Sequence, residues 1–208
     1  MTQTGRDYSV SYRFEPKGDL QDLAEHFDQT PHYLFRTYAP KSNGCSTEID
    51  IKSAAVCSGK DDRDLFSLDR ETAASMLDGH TWKNLESDNL MSWTSSSLFA
   101  VQHGIYRKAT DFGSPNLSVI RICVLDTRKV DRGSFLPAVA LLKAYGIPST
   151  GKLRHEYYHG EYLSQGTLEV WHKSASTSLE ALICRGLHDL FPPFADESTK
   201  GSLYNRVL

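Results

Sequence analysis

The stretch that decides the fold is H-E-Y-Y-H-G-E-Y-L-S-Q-G-T-L-E-V, residues 155–170. Its first five residues spell H-E-x-x-H, a zinc-protease signature that works only where a helix puts both histidines on one face. Its second half places aromatic and β-branched residues around a Ser-Gln-Gly turn, which is typical of two strands joined by a turn. The two interpretations are incompatible, because the first needs a helix and the second needs an extended chain.

The residues around the motif favour the strand interpretation. A zinc-binding helix would have to fit between Pro148 and Gly160, about two turns in which an isolated helix is marginal. The apolar residues do not recur at helical spacing, and tyrosines suit a pleated surface. We therefore predict that Tyr158–Leu163 is extended and that residues 155–172 form a hairpin. The alternative is a zinc metallopeptidase with its candidate ligands and base at His155, Glu156, His159 and Glu180.

Length and composition describe an ordinary globular protein. The 208 residues are predicted to form a single domain, with a core at about residues 30–190 and with an N-terminal helix and a C-terminal tail appended. With 23 basic and 26 acidic residues the net charge is −3, which gives no electrostatic footprint for nucleic acid and no polybasic membrane patch. No signal peptide or membrane-spanning stretch is recognised, so we expect a cytoplasmic protein. Cys45 and Cys57 could pair across a loop, but we expect the four cysteines to be reduced.

Hydrophobic patterning predicts an irregular mixture of strands and helices. Tyr33–Tyr38, Leu90–Ser95 and Leu117–Leu125 read as strands, the last of them central and buried on both faces. A helix capped by Ser96 or Ser97 follows the second strand. The other predicted segments are a short helix capped by Asp19, a loop at Pro40–Lys60, and helices at Leu65–Leu77, Phe135–Tyr145 and Leu179–Leu190. Because the order has no regular βαβ rhythm, the predicted class is α+β.

Three polar features lie in different predicted strands. Arg36 ends Leu34-Phe35-Arg36, the hydroxyls Thr94, Ser95 and Ser96 follow Trp93, and Glu161 precedes a glycine-containing turn. Taken singly, they are explained as an ion-pair partner, a helix cap and a solvated carboxylate. In this order they resemble the R-S-E type of the ADP-ribosyltransferase superfamily, whose phrases are L-Y-R, S-T-S before an alanine-bearing helix, and x-E-(V/F)-L-x-x-G-T-x-x-V. The chain also resembles, over about residues 30–190, uncharacterised fungal proteins with YLFR, SWTSS and GEYLSQG phrases, a likeness that names no activity.

The superfamily resemblance implies a fold and a reaction. The fold is a split mixed or antiparallel sheet with flanking helices. The reaction is cleavage of the nicotinamide–ribose bond of NAD through an oxocarbenium-like transition state, as an ADP-ribosyltransferase or as an NAD glycohydrolase. NAD is then a substrate, no metal is needed, and no membrane partner is expected. The implied catalytic residues are Glu161, Arg36, Thr94 and Ser95, and the implied NAD-binding residues are Arg36, Phe35, Ser96 and Tyr162.

One position departs from the superfamily pattern. The transferases carry Glu or Gln two residues before the catalytic glutamate, where this chain has His159. The departure leaves the acceptor of ADP-ribose open between a protein, a small molecule and water. It also leaves open a third hypothesis, a binding module that kept the fold and lost the activity.

Overall fold

Nine strands form two antiparallel sheets in the computed structural model, which describes residues 13–60, 63–81, 88–111, 113–150 and 154–195. The strands are β1 (Tyr33–Tyr38), β2 (Cys45–Ser46), β3 (Asp50–Lys52), β4 (Leu90–Thr94), β5 (Arg121–Asp126), β6 (Leu136–Pro137), β7 (Glu161–Gln165), β8 (Thr167–Glu169) and β9 (Ser174–Ser178). The larger sheet has the order β6-β7-β4-β1-β5-β9, and the smaller sheet has the order β2-β3-β8.

Helices flank the larger sheet. The α-helices are α1 (Ala54–Cys57), α2 (Arg70–Thr81), α3 (Ser97–Thr110), α4 (Ala138–Ala144), α5 (Leu179–Cys184) and α6 (Leu187–Leu190). A 12-residue 3₁₀-helix occupies Gly18–Gln29, and shorter ones occupy Leu65–Ser67, Thr127–Lys129, His155–Tyr158 and Pro192–Phe194. The predicted α+β class is confirmed, with a six-stranded antiparallel sheet and flanking helices.

Side-chain alternation gives the larger sheet two different faces. One face is covered by helices in two groups, the first packing on the β6-β7-β4 half through Leu77 and Leu141. The second group packs on the β1-β5-β9 half through Ala100 and Leu179. The opposite face buries Trp93 and its neighbours against the smaller sheet. The two helical groups therefore meet over the line between β1 and β4, which is also the middle of the sheet.

The predicted 155–172 hairpin is wrong, because the chain changes sheets at Gly166. Strand β7 pairs with β4 and β6, whereas β8 pairs with β3 in the smaller sheet. Gly166 has φ of 64°, a conformation that favours glycine, and its N–H donates to Asn89 while its carbonyl accepts from Ser53 N–H. A local strand-turn-strand pattern cannot reveal such a corner, since the partner strands are remote in sequence.

Other predicted boundaries need correction. The strand predicted over Leu117–Leu125 begins later than predicted: residues 117–119 form a turn, and β5 starts at Arg121 as an interior strand between β1 and the edge strand β9. Pro40–Lys60 is not simply a loop, because it contains β2, β3 and α1. The helix predicted over Leu65–Leu77 is a 3₁₀ turn followed by α2. The helix predicted over Phe135–Tyr145 is right for α4, which follows the short strand β6, and the helix predicted over Leu179–Leu190 is interrupted between α5 and α6.

Two further features concern the cysteines and the N-terminal segment. Cys45 and Cys57 are joined in a disulfide, so the expectation that all four cysteines are free thiols is wrong for this pair. The predicted helix near Asp19 is a 3₁₀-helix, and its Leu23 is buried together with Phe14 against the α2–α4 side of the sheet. Among the helices that the structure describes, none combines the length and apolarity needed to cross a membrane.

Candidate functional site

The candidate site begins with a row of three residues across the middle of the larger sheet. Thr94, the last residue of β4, pairs directly with Glu161, the first residue of β7, and with Phe35 of β1. Directly paired residues of antiparallel strands point to the same face. Phe35, Thr94 and Glu161 therefore share the helical face. Of the three predicted polar features, the hydroxyl residues and the glutamate are thus neighbours on this face.

The sheet separates next to this row. Phe35 and Thr94 are the one registered pair between β1 and β4. Along an antiparallel strand, the backbone N–H and C=O groups of successive residues point alternately to one neighbouring strand and to the other. Those of Asn89 and Ser95 bond to the β7 side, so the N–H and C=O of Ser92 point to β1. There the Ser92 carbonyl accepts a hydrogen bond from Arg36 Nη1 at 2.6 Å instead of continuing the ladder. The guanidinium thus lies at the point where the two halves of the sheet part.

Arg36 starts from the opposite face of the sheet. Side chains alternate between the two faces along β1, so Arg36 lies on the same face as Trp93 and Tyr162. Its guanidinium carbon lies 5.9 Å from the centre of the Trp93 ring. Burial lowers the pKa of Arg36 to about 10, so the side chain is still charged at neutral pH. Its Nε is buried and has no hydrogen-bond partner within the described segments. The structure therefore brings Arg36 to the strand separation, but not onto the face that carries Glu161.

The predicted hydroxyl residues have different surroundings. Ser96 caps α3, its Oγ accepting from Phe99 N–H at 3.2 Å, so the ordinary explanation of this serine is correct. Thr94 Oγ1 accepts from Ser96 N–H at 3.1 Å. Ser95 is exposed, and its N–H donates to the Gly160 carbonyl at 2.8 Å, which ties it to the residue before Glu161. The side chain that faces Glu161 most directly is therefore Thr94.

Glu161 is half-buried, and its carboxylate has no hydrogen bond or ion pair to any residue in the described part of the chain. The hydrogen bond expected from Thr94 or Ser95 to this carboxylate is thus not formed. The Glu161 charge nevertheless affects two neighbouring groups. Together with burial it raises the pKa of Tyr158, and it contributes to the raised pKa of His80. Tyr162 lies on the opposite face, where burial raises its pKa.

Sequence reasoning missed three residues on the helical face beside this row. His80, near the end of α2, lies between Asp88 and Ser92, with Nδ1 3.0 Å from Asp88 Oδ2 and Nε2 2.8 Å from Ser92 Oγ. The second carboxylate oxygen of Asp88 accepts from Leu90 N–H at 2.7 Å. We call Arg36, His80, Ser92, Thr94 and Glu161 the junction cluster. Nothing local in the sequence signals the link from His80 to Ser92, because it forms only when α2 packs on β4.

The H-E-x-x-H segment does not form a zinc-binding helix. His155–Tyr158 is one 3₁₀ turn, and Gly160 has φ of 82°, so the prediction of an extended chain over Tyr158–Leu163 is wrong for Tyr158 and Gly160 and right from Glu161 onward. His155 Nε2 lies 2.9 Å from the Ile147 carbonyl oxygen and donates a hydrogen bond to it, so this nitrogen has no lone pair for a metal ion. Within the described ranges, no group of three or more His, Cys, Asp or Glu side chains is arranged to hold a metal ion.

Comparison with known proteins gives one match. Residues 29–170 match the model of the family described as domain of unknown function (DUF7587). Neither a curated protein nor a solved structure matches the chain. The matched range contains β1, β4 and β7, and with them every residue of the junction cluster.

Proposed function

The chain belongs to the DUF7587 family, whose description names no activity, and we propose that it is an NAD-cleaving enzyme of the ADP-ribosyltransferase type. In this proposal the six-stranded sheet is an ADP-ribosyltransferase-like fold that parts between β1 and β4. NAD lies over the parted strands, its nicotinamide–ribose bond is cleaved beside Glu161, and ADP-ribose passes to an acceptor or to water.

The observation that carries the proposal is the direct pairing of Thr94 with Glu161 beside the separation of the sheet. Three stretches that are remote in sequence lie on the neighbouring strands β1, β4 and β7. Glu161 is half-buried and makes no hydrogen bond or ion pair with a described residue, so its charge is free to face a ligand. Arg36 is a buried cation with an unpaired Nε–H in the described structure, and such a group suits an anionic partner.

The chemistry follows from these charges. Departure of nicotinamide leaves positive charge on the ribose, and the Glu161 carboxylate stabilises that charge most strongly in the transition state. Thr94, directly opposite, orients the ribose or the carboxylate through its hydroxyl. Arg36 binds the pyrophosphate from the parted strands, where a planar guanidinium offers two parallel hydrogen bonds. Phe35 lies on the Glu161 face and offers an apolar surface beside the reacting groups.

The experiment is nicotinamide release from NAD by the wild-type protein and by Glu161→Gln. The amide keeps the shape of the side chain but loses the charge that faces the oxocarbenium, so the loss falls on kcat and leaves KM nearly unchanged. We expect a decrease of roughly 10²–10³-fold, equivalent to about 3–4 kcal/mol of transition-state stabilisation.

The matched control is Glu169→Gln, which changes an exposed glutamate of β8 that lies 3.5 Å from Lys173. This variant should release nicotinamide at the wild-type rate. If wild type binds NAD without releasing nicotinamide, the binding-module hypothesis replaces the enzyme. Equal rates of nicotinamide release by wild type and Glu161→Gln would mean that Glu161 has only a structural role in the sheet.

A further inference from the structure

A hydrogen-bonded array on the helical face consists of three residues that the proposed NAD chemistry does not use. His80 bridges Asp88 and Ser92 at 3.0 and 2.8 Å, so an acid, a histidine and a serine lie in one chain. His80 and Asp88 are largely buried, with side chains 14% and 9% exposed. The burial matters because water competes poorly for these hydrogen bonds and the three side chains are held in one arrangement.

The array fixes which nitrogen of His80 carries the proton. An ionised carboxylate only accepts, so Nδ1 must donate to Asp88. In neutral His80 the Nε2 lone pair then faces Ser92 Oγ and accepts its hydroxyl proton. Asp88 is itself held by Leu90 N–H, so its carboxylate orients the ring without depending on solvent. A serine whose hydroxyl is bonded to an oriented base is the arrangement that activates a nucleophile.

The charges around Ser92 complete the requirement for acyl chemistry. Arg36 Nη1 donates to the Ser92 carbonyl, and its Nε–H has no partner in the residues that the structure describes. Although this side chain starts from the opposite face, its positive charge lies beside the backbone of the nucleophile and favours the oxyanion that forms when a carbonyl is attacked. Glu161 lies on the same face and opposes an anionic acyl group. Ser92 is itself partly buried and directly opposite the buried Leu163, so a small acyl group fits best.

We propose that Ser92, His80 and Asp88 form a reactive serine site that hydrolyses small uncharged carboxylic esters. Ser92 Oγ bonds to the acyl carbon while its proton moves to His80 Nε2, and the departing alcohol takes that proton. Water then attacks the acyl-serine, gives a proton to His80, and releases the carboxylic acid with the Ser92 hydroxyl restored. The net reaction is ester plus water to acid plus alcohol, with no other reactant.

The ionisation of His80 sets the pH range of this site. Burial lowers the pKa of His80, but the hydrogen bond and charge of Asp88 outweigh that effect, with a smaller increase from Glu161 and a decrease from Arg36. The pKa therefore lies above its ordinary value of about 6.5. Because the neutral ring is the base, reactivity should rise with pH and reach half its maximum above about pH 6.5.

The test is covalent labelling of the full-length protein with a fluorophosphonate probe, followed by mass-spectrometric location of the label. We expect one label at Ser92, lost in Ser92→Ala, and hydrolysis of p-nitrophenyl acetate lost in parallel. His80→Gln should slow labelling by about 10²-fold or more, because general-base assistance is removed. Asp88→Asn should slow it as well, since an amide that donates to Nδ1 reverses the tautomer.

The matched controls are Ser97→Ala, an exposed serine at the start of α3, and His155→Gln, a histidine bonded to a backbone carbonyl. Both should be labelled as fast as wild type. Ser92→Ala is a small change, and its thermal unfolding curve shows whether the fold is kept. Absence of label at Ser92 in the wild-type protein overturns the proposal whatever the variants do. Failure of the NAD proposal appears separately, because nicotinamide release measures Glu161 and labelling measures Ser92.

Discussion

Two polar regions lie at opposite ends of the β4–β7 pair and differ in how completely their groups are bonded. We call the first the glycine corner, formed by Ser53, Asn89, Gln165 and Gly166. In it Asn89 Oδ1 accepts from Ser53 Oγ and Gly166 N–H at 2.8 and 3.0 Å, and its Nδ2 donates to the Arg63 carbonyl at 2.9 Å. The junction cluster instead contains a carboxylate without a hydrogen-bond partner and a guanidinium with an unpaired Nε, within the part of the chain described.

The two unpaired buried atoms of the described structure show the same difference. Next to the glycine corner the unpaired atom is Oδ2 of Asp64, whose other oxygen accepts a hydrogen bond from Gln165 of that corner. Burial raises the pKa of Asp64, which weakens the preference of this carboxyl for its charged form. Burial also lowers the pKa of Arg36, but a pKa of about 10 leaves the guanidinium charged at neutral pH. A region with its polar groups bonded builds the fold, and a region that keeps unpaired charge is suited to bind a ligand.

The largest effect on stability is expected at the glycine corner. Asn89→Ala removes three hydrogen bonds from a side chain that is 1% exposed, and leaves Ser53 and the Arg63 carbonyl without these partners. We expect the free energy of unfolding to fall by about 3 kcal/mol or more. Urea denaturation followed by circular dichroism measures it.

The control for this substitution is Asn116→Ala. Asn116 is exposed and accepts one hydrogen bond, from Ser118 N–H in a turn. Its loss should lower the unfolding free energy by less than about 1 kcal/mol. Equal losses in the two variants would mean that the corner is no more important to the fold than an ordinary turn.

A smaller effect is expected at Gly160, which joins the 3₁₀ turn to β7 beside the junction cluster. Its φ is 82°, and an added Cβ would lie 2.8 Å from Ser95 Oγ. Gly160→Ala should therefore lower the unfolding free energy by about 2 kcal/mol, part from the left-handed backbone and part from the contact with Ser95. Thermal unfolding of the variant measures the sum.

Two further variants separate these contributions. Gly146→Ala has the backbone cost alone, since φ is 71° and no atom lies within 4 Å of the added Cβ. We expect it to cost about 1 kcal/mol. Adding Ser95→Ala to Gly160→Ala should recover the difference between the two glycine variants. If it recovers nothing, Ser95 is not held against Gly160 as the structure has it.

Local patterns in the sequence predicted the parts of the fold that local chemistry determines. β1 was predicted at its observed bounds because aromatic and apolar residues run through it, and the cap of α3 because serines precede an amphipathic segment. β9 was missed, since its residues Ser174–Ser178 are small and polar and extend only through pairing with β5. The sheet change at Gly166 was missed for the same reason: strand pairing is a long-range property.

The residues of the candidate site also differ in whether a local sequence pattern could identify them. Glu161 and Thr94 were singled out from their motifs, and the register of β4 and β7 pairs the two residues directly, although their functional roles stay predictions. The array of His80, Asp88 and Ser92 was not predicted, because no periodicity links a helix end to a strand. The face that Arg36 occupies also depends on strand register, which a single motif residue does not specify. A shift of one residue in strand pairing moves every side chain of the strand to the opposite face of the sheet.

The smallest stability effect is expected at Arg36, and it distinguishes a ligand-binding charge from a structural one. Arg36→Met removes a buried charge but also the hydrogen bond to the Ser92 carbonyl. These contributions oppose each other, so we expect the unfolding free energy to change by less than about 1 kcal/mol. Arg107→Met is the matched control, because Arg107 is bonded to Asp111 at 2.7 Å and to Ser42 at 2.6 Å, and its loss should cost about 1–3 kcal/mol. Calorimetric titration with NAD supplies the second measurement: Arg36→Met should weaken binding, while Arg107→Met should not. An Arg36 variant that loses as much stability as Arg107→Met and keeps its NAD affinity would show that the guanidinium serves only to close the sheet between β1 and β4.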